Sequence, residues 1–234
     1  MSGEPVAADG DSCRPFRERL SASDWSVLVD RGRQQILQAG DVLYIEGDHQ
    51  QDVAVIDWGW AKVVTHVVDG YTAFLAVRGP GDILGEMAVL SSLPRSADVR
   101  SVEELRIIRF THLDFLALLQ SRPGISFALL GVLASRLRHA DLWRVRCGSW
   151  SVEQRLTTLL VELVDTYCPK PDSFGGFSLP FSQEELGGFI GGSRKSVSRA
   201  LYDLRRDGVV QTARRNLTVL LVDELRRRAG QSVG

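Results

Sequence analysis

The chain has 234 residues, of which 44% are hydrophobic and 24% charged, with a formal net charge of −1. That length buries two modest cores, and no apolar run approaches the roughly 20 residues that span a bilayer. Three widely spaced cysteines (Cys13, Cys147, Cys168) form no CxxC pair, which gives little support to a zinc site or a disulfide framework, excludes a four-cysteine iron–sulfur cluster within one chain, and makes a reducing cytoplasm the expected compartment.

The first thirteen residues are polar and acidic and are expected to form a loose tail. A helix is predicted over Ser23–Arg31, with Ser23 as its N-cap. From about Phe16 to Ile108 the chain reads as short β runs: Asp41-Val-Leu-Tyr-Ile45, Val53-Ala-Val-Ile56, Trp60-Ala-Lys-Val-Val64 and Leu105-Arg-Ile-Ile108. Turn signals fall at Gly40-Asp41, Glu46-Gly-Asp48, Gly59, Asp69-Gly70 and Gly79-Pro-Gly-Asp82. Strands so punctuated predict a compact antiparallel β structure.

Within this region Gly81-Asp-Ile-Leu-Gly-Glu-Met-Ala-Val-Leu-Ser-Ser-Leu-Pro-Arg-Ser-Ala97 holds the richest chemistry. A turn on Gly85 brings backbone N–H groups close to an anion. Arg95 offers a planar fork of donors to phosphate oxygens. Ser96 donates one hydroxyl hydrogen bond, and Glu86 accepts from a sugar hydroxyl. These groups suit a small phosphorylated sugar and provide neither a metal site nor a nucleophile. The segment resembles the phosphate-binding cassette of cyclic-nucleotide-binding domains in the cyclic AMP receptor/FNR superfamily. The spacing of Gly40, Gly47, Gly59 and Gly81 resembles the β-roll of those domains.

A short helix is predicted from Thr111, with Asp114 in a capping-box pattern, running toward Gln120. Pro123 then forces a break or a fresh start. The next helix carries Leu130, Leu133, Leu137, Ala140, Arg144 and Cys147 on one stripe, the spacing of a coiled-coil seam. The resemblance makes this the long dimerisation helix. Arg144 suits a seam poorly, and Cys147 is read as a packing residue, with a redox site at the dimer seam as the alternative. Gly148-Ser149 is the expected hinge. Ser151 and Gln154 then box the start of an amphipathic helix with Leu156, Leu159, Leu160, Leu163 and Tyr167 on one face. Cys168-Pro-Lys-Pro-Asp-Ser-Phe-Gly-Gly176 is a loop by composition.

Ser182 and Glu185 form another capping box; Leu186 and Ile190 face a core, Gly191-Gly192 turns the chain, and Ser193 caps a second helix. On that helix Val197, Leu201 and Leu204 point inward. Arg194 and Ser198 share one outer face at i, i+4, as do Lys195 and Arg199. The pattern is a helix-turn-helix, with donors placed to reach base edges in the major groove. Val209–Thr212 and Leu217–Leu221 form a hairpin whose tip carries Arg214 and Arg215, suited to phosphate contact. Between Gly191 and Arg228 ten Lys/Arg face four Asp/Glu on an otherwise acidic chain, the electrostatic footprint of a polyanion-binding module.

The resemblance to the superfamily covers about residues 14–225 and implies an α+β protein. Its parts are a flexible tail (1–13), a cyclic-nucleotide-binding β-roll (14–121), a dimerisation helix (122–148) and a winged helix-turn-helix (149–234). It implies a homodimeric, sequence-specific regulator of transcription whose partners are double-stranded DNA and a cyclic nucleotide effector, with RNA polymerase an open further partner. Gly85, Glu86, Arg95 and Ser96 match the family's ribose and phosphate contacts. Ala140 and Asp141 stand where cyclic-AMP-responsive members often carry Thr-Ser for the base; Ala140 donates nothing and Asp141 only accepts. Cyclic AMP is favoured by prevalence; cyclic GMP, another nucleotide and no ligand stay open. Arg194, Lys195 and Arg199 match the family's three base-reading positions. The middle one is commonly Glu, and Lys195 cannot accept from cytosine N4, so the familiar half-site does not carry over there. A vestigial pocket on the same fold is the alternative. An interaction module for an acidic protein partner is a further rival. No catalytic set, P-loop or kinase signature is present, and His49, His66, His112 and His139 show no metal-ligand spacing.

Overall fold

The computed structural model describes residues 14–66, 72–168, 170–173 and 175–230. The expected tail, with Cys13, and the Asp69-Gly70 turn lie outside these residues, as do Pro169 and Phe174 of the expected loop. Contacts divide the chain into two compact units, Arg14–Ala134 and one that contains Ser135–Gly234.

The first unit opens with a 3-10 turn, Arg17–Arg19, and helix α1 (Ala22–Arg31). The N-cap of α1 is Ser21, whose hydroxyl accepts from the Asp24 backbone N–H at 3.1 Å, and not Ser23 as expected. Both serines precede the apolar stripe, but only Ser21 places Asp24 at the third helical position. Eight strands follow: β1 (Arg33–Leu37), β2 (Val42–Tyr44), β3 (Asp52–Trp58), β4 (Ala61–His66), β5 (Thr72–Arg78), β6 (Ile83–Leu84), β7 (Asp98–Ser101) and β8 (Leu105–Thr111). Helix α2 (Glu86–Ser91) sits between β6 and β7. Two antiparallel four-stranded sheets result, ordered β1-β8-β3-β6 and β2-β7-β4-β5.

The central strands of the first sheet, β3 and β8, are buried on both faces, and strand alternation sorts their side chains. Val53, Val55, Ile108 and Phe110 join one core with Leu28, Phe115 and Leu129. Ala54, Ile56, Leu105 and Ile107 join a second core inside the roll with Leu37, Tyr44 and Val99. Helix α3 (His112–Ser121) starts at Thr111, whose hydroxyl accepts from the Asp114 N–H at 3.2 Å. Helix α4 (Pro123–Ser149) buries Ile125, Ala128, Leu129 and Val132 against the first core. Its other face leaves Phe127 73%, Leu130 59% and Leu137 66% exposed. Leu133 departs from the expected stripe: it is half-buried and packs on the first core. Arg144 and Cys147 are exposed in the single chain. No single helix among the described residues is long and apolar enough to cross a membrane.

Helix α4 runs through Gly148-Ser149, the expected hinge, without a break, and Ser151 then caps α5 (Val152–Tyr167) with both halves of the capping box present. Glu162 of α5 ties the two helices: it lies 3.1 Å from His139 Nε2 and 2.5 Å from Arg146 Nη1. Burial alone would raise the Glu162 carboxyl; the His139 and Arg146 donors outweigh it and hold the group below the usual carboxylate range. The second unit continues with β9 (Phe177–Leu179), α6 (Gln183–Ile190), α7 (Arg194–Arg206), β10 (Val210–Ala213), β11 (Asn216–Val219) and α8 (Val222–Arg228). Its sheet is ordered β10-β11-β9. Leu156 and Leu160 of α5, Ile190 of α6 and Val197, Leu201 and Leu204 of α7 are fully buried, which fixes the outward faces of α6 and α7.

Candidate functional site

Gly85 ends β6 and caps α2 with φ +83°, in the left-handed region open to glycine. A Cβ there would stand 2.5 Å from Arg95 Nη1, 2.7 Å from the Asp52 carbonyl oxygen and 2.9 Å from the Tyr44 ring. That close approach draws Arg95 inward. Its Nη1 donates to the Gly85 carbonyl at 3.0 Å. Its Nη2 donates to the Asp52 carbonyl at 2.8 Å and to Asp52 Oδ1 at 2.9 Å. The guanidinium lies over the Tyr44 ring, 3.7 Å from its centroid, a cation–π contact in a dry setting. The buried Arg95 Nε has no hydrogen-bond partner among the described residues.

Asp52 has a second cation: Arg109 Nε lies 2.5 Å from Oδ2, and Arg109 Nη1 donates to Gln35 Oε1 at 3.1 Å. The Tyr44 hydroxyl donates to the same Oδ2 at 3.2 Å. Burial first, and the Asp52 charge second, push the Tyr44 phenol far above its ordinary range, so it stays a neutral donor. The Asp52 hydrogen bond pushes the Arg109 guanidinium up. The structure therefore brings Arg95 against the Gly85–Glu86 turn across α2, with Glu86 only 3% exposed and Arg95 4%, while Ser96 beside Arg95 is exposed. Ala140 and Asp141 are exposed on the part of α4 that belongs to the second unit, where Asp141 accepts from Arg144 Nη1 at 3.3 Å. Sequence reasoning missed Tyr44, Asp52 and Arg109. Only Asp52 carried a signal, a carboxylate opening the apolar run Val53–Ile56.

The second candidate surface is the outer side of α6, α7 and the β10–β11 hairpin. Ser182 and Glu185 form the full capping box of α6, and Gly191 (φ +61°) ends it. Ser193 then caps α7, accepting from the Ser196 N–H at 3.2 Å. Burial of Val197, Ala200, Leu201 and Leu204 turns Arg194, Lys195 and Arg199 to solvent, with Ser198 half-buried beside them and Tyr202 59% exposed one turn further on. Tyr202, which sequence reasoning passed over, shares the Lys195–Arg199 face.

Ion pairing explains where the basic footprint ends up. Arg206 pairs with Asp203 and Asp207, Arg226 with Asp165 and Asp223, Arg227 with Glu224, and Arg228 with Asp207 and Glu224. The hairpin tip is split: Arg215, in the left-handed region at φ +54°, lies 3.6 Å from Glu185, while Arg214 is exposed. Arg194, Lys195, Arg199 and Arg214 pair with no acid among the described residues, nor does Arg205, which donates to Thr212 Oγ1 at 3.1 Å. Uncompensated charge is thus gathered along α7 and at the hairpin tip, a geometry that attracts a polyanion and lays donors along it.

Comparison with known proteins gives a family for each of the two regions. The family model described as "Cyclic nucleotide-binding domain" matches residues 34–122, and the one described as "Crp-like helix-turn-helix domain" matches residues 154–228. The "Cyclic AMP receptor protein" of Thermus thermophilus is 27% identical over 84% of this chain and 88% of its own length. The "CRP-like cAMP-activated global transcriptional regulator" of Mycobacterium tuberculosis is 26% identical over 81% of this chain and 85% of its own. The solved structure of FixK2 from Bradyrhizobium japonicum superposes with a TM-score of 0.73 over 87% of this chain and 98% of that one, at 19% identity, and so supports the fold alone. With a cyclic-nucleotide-binding β-roll, a long helix and a helix-turn-helix in that order, the chain belongs to the cyclic AMP receptor/FNR superfamily of transcriptional regulators.

Proposed function

We propose that this chain acts in the cytoplasm as a homodimeric, sequence-specific DNA-binding regulator whose hold on DNA responds to a cyclic nucleotide, cyclic AMP first and cyclic GMP second. The observation that carries it is the set of uncompensated cations, Arg194, Lys195 and Arg199, on the exposed first turns of α7. Arg194 and Arg199 are assigned to the O6 and N7 acceptors of guanine, Lys195 to a third base step, Ser193 and Ser198 to adjoining contacts, and Arg214 and Arg215 to phosphates. Pairing of a second copy on the exposed Phe127, Leu130 and Leu137 face would present two α7 helices to two half-sites about one DNA turn apart. A nucleotide phosphate is assigned to Arg95 and the Gly85 turn, and its ribose to Glu86. Ser96 is a further phosphate candidate, and Ala140 and Asp141 are candidates for the base on sequence grounds. The effector acts by shifting populations between two arrangements that differ in affinity for it.

One observation favours a second reading, a regulator on the same fold that needs no nucleotide: Asp52 already occupies the fork of Arg95. Capture of genomic fragments by the purified protein, with and without cyclic AMP or cyclic GMP and at several salt concentrations, separates the two. Enrichment of discrete sites that rises with nucleotide supports the first reading. Equal enrichment without nucleotide supports the second, and no enrichment of any site removes both.

A further inference from the structure

The ion cluster behind the Gly85 turn holds more than the cassette requires. Arg95 is the group a phosphate would seek, yet its side chain is 3% exposed and its Nη2 is held by Asp52 through both the carbonyl and Oδ1. Asp52 is also nearly buried and shares its other oxygen with Arg109, whose side chain is 29% exposed. A single carboxylate therefore sits between two guanidinium groups, one belonging to the cassette and one to β8. A phosphate that takes Arg95 must displace Asp52. A buried carboxylate stripped of its only cation is expensive, but Asp52 is not left in that state, because Arg109 and the Tyr44 hydroxyl remain on Oδ2.

We propose that Asp52 is a positioning residue of the effector site: it stands in for the phosphate on Arg95 while the pocket is empty and passes wholly to Arg109 when an anionic effector binds, so that the Asp52–Arg109 pair sets the concentration at which the protein responds. This rests on the reading of the Gly85–Arg95 turn as an effector site and adds its regulation. The exchange moves no proton and needs no metal. It makes two opposite demands. Removing the Asp52 charge relieves competition for Arg95 and tightens binding. Removing Arg109 leaves Asp52 without a second partner, holds it on Arg95 and weakens binding. It also couples the two sites: with Asp52 gone, Arg109 has nothing to receive.

Isothermal calorimetry with cyclic AMP, repeated with cyclic GMP, tests this on the full chain as wild type, Asp52→Asn, Arg109→Gln and the double variant, each first shown to be folded by its thermal transition. The expected results are about tenfold tighter binding for Asp52→Asn and about tenfold weaker binding for Arg109→Gln. The double variant is expected to bind like Asp52→Asn. A wild type that fails to bind while Asp52→Asn binds also supports the exchange. Wild-type binding that Asp52→Asn leaves unchanged or weakens overturns it and leaves the effector reading standing. A double variant that binds as weakly as additive single effects demand also overturns it, since that is long-range charge alone. If Asp52→Asn does not fold, the sign of Arg109→Gln decides: unchanged or tighter binding overturns the proposal. Failure of all four proteins to bind either nucleotide overturns the proposal and the cyclic-nucleotide reading together.

Discussion

Replacing Arg95 by leucine is expected to damage the fold as well as any response to nucleotide. The guanidinium donates to the Gly85 carbonyl at 3.0 Å, to the Asp52 carbonyl at 2.8 Å and to Asp52 Oδ1 at 2.9 Å, and stacks on Tyr44 at 3.7 Å. Leucine keeps part of the apolar contact but donates nothing. It leaves two carbonyls short of a donor and a buried carboxylate with Arg109 as its remaining cation. Breaking a buried pair from one side costs about 3–5 kcal/mol. Retention of Arg109 and Tyr44 on Oδ2 places this case near the lower end, at about 3 kcal/mol. For a unit of this size each kcal/mol lowers the midpoint by roughly 4 °C, so the β-roll transition should fall by about 12 °C. Differential scanning calorimetry without nucleotide reads this directly. A midpoint within about 2 °C of wild type would refute the reasoning, because Arg95 would then not be committed to the fold.

Other consequences are open to simple measurement. Lys195→Glu should change the preferred operator at one base step in a randomised-duplex selection, by about 1–3 kcal/mol at that step; an unchanged preferred site would mean that Lys195 reads no base. Leu130→Glu with Leu137→Glu should convert a dimer to a monomer in sedimentation while the β-roll stays folded, since both side chains are largely exposed in the single chain; an unaltered dimer would move the interface elsewhere. Glu162→Gln should destabilise the α4–α5 junction at neutral pH. Because the Glu162 carboxyl is held low in the folded chain, its contribution is complete above the ordinary carboxylate range and is lost as the pH falls through the lower folded value. The stability gap between wild type and Glu162→Gln should therefore narrow as the pH falls below the ordinary carboxylate range in a pH series of thermal melts. A gap independent of pH would show that the charge of Glu162 does not contribute.

Elements whose local chemistry was complete were legible in the sequence. Val53–Ile56 and Leu105–Ile108 read as strands because the sheet they share is covered on both faces, which makes their apolar runs continuous. The capping boxes at Ser151 and Ser182 announced α5 and α6 through residues three apart. The strand Arg33-Gln-Gln-Ile-Leu37 did not stand out, because it lies on the edge of its sheet and buries only Leu37. The six-residue α2 is too short for a periodic signal. Helix α8 was seen as charge alone, because Asp223-Glu-Leu-Arg-Arg-Arg228 buries only Leu225. At the candidate pocket, Gly85, Glu86 and Arg95 were recognisable as a local cassette. Asp52 and Arg109 were not, since Asp52 reaches Arg95 across 43 residues and meets Arg109 across 57, the latter through the pairing of β3 with β8. The same holds for charge: the basic footprint was countable, but its concentration at α7 emerges only when Asp203, Asp207, Asp223 and Glu224 are seen to pair with Arg206, Arg226, Arg227 and Arg228.

The most direct test of the central claim is an electrophoretic shift with genomic duplex fragments, comparing wild type with an Arg194→Ala/Arg199→Ala pair across a range of salt and with nucleotide added. Discrete shifted fragments for the wild type, weakened at least tenfold by the pair of substitutions, are the predicted result. A protein that leaves every duplex unshifted at low salt, whatever nucleotide is supplied, would contradict the account.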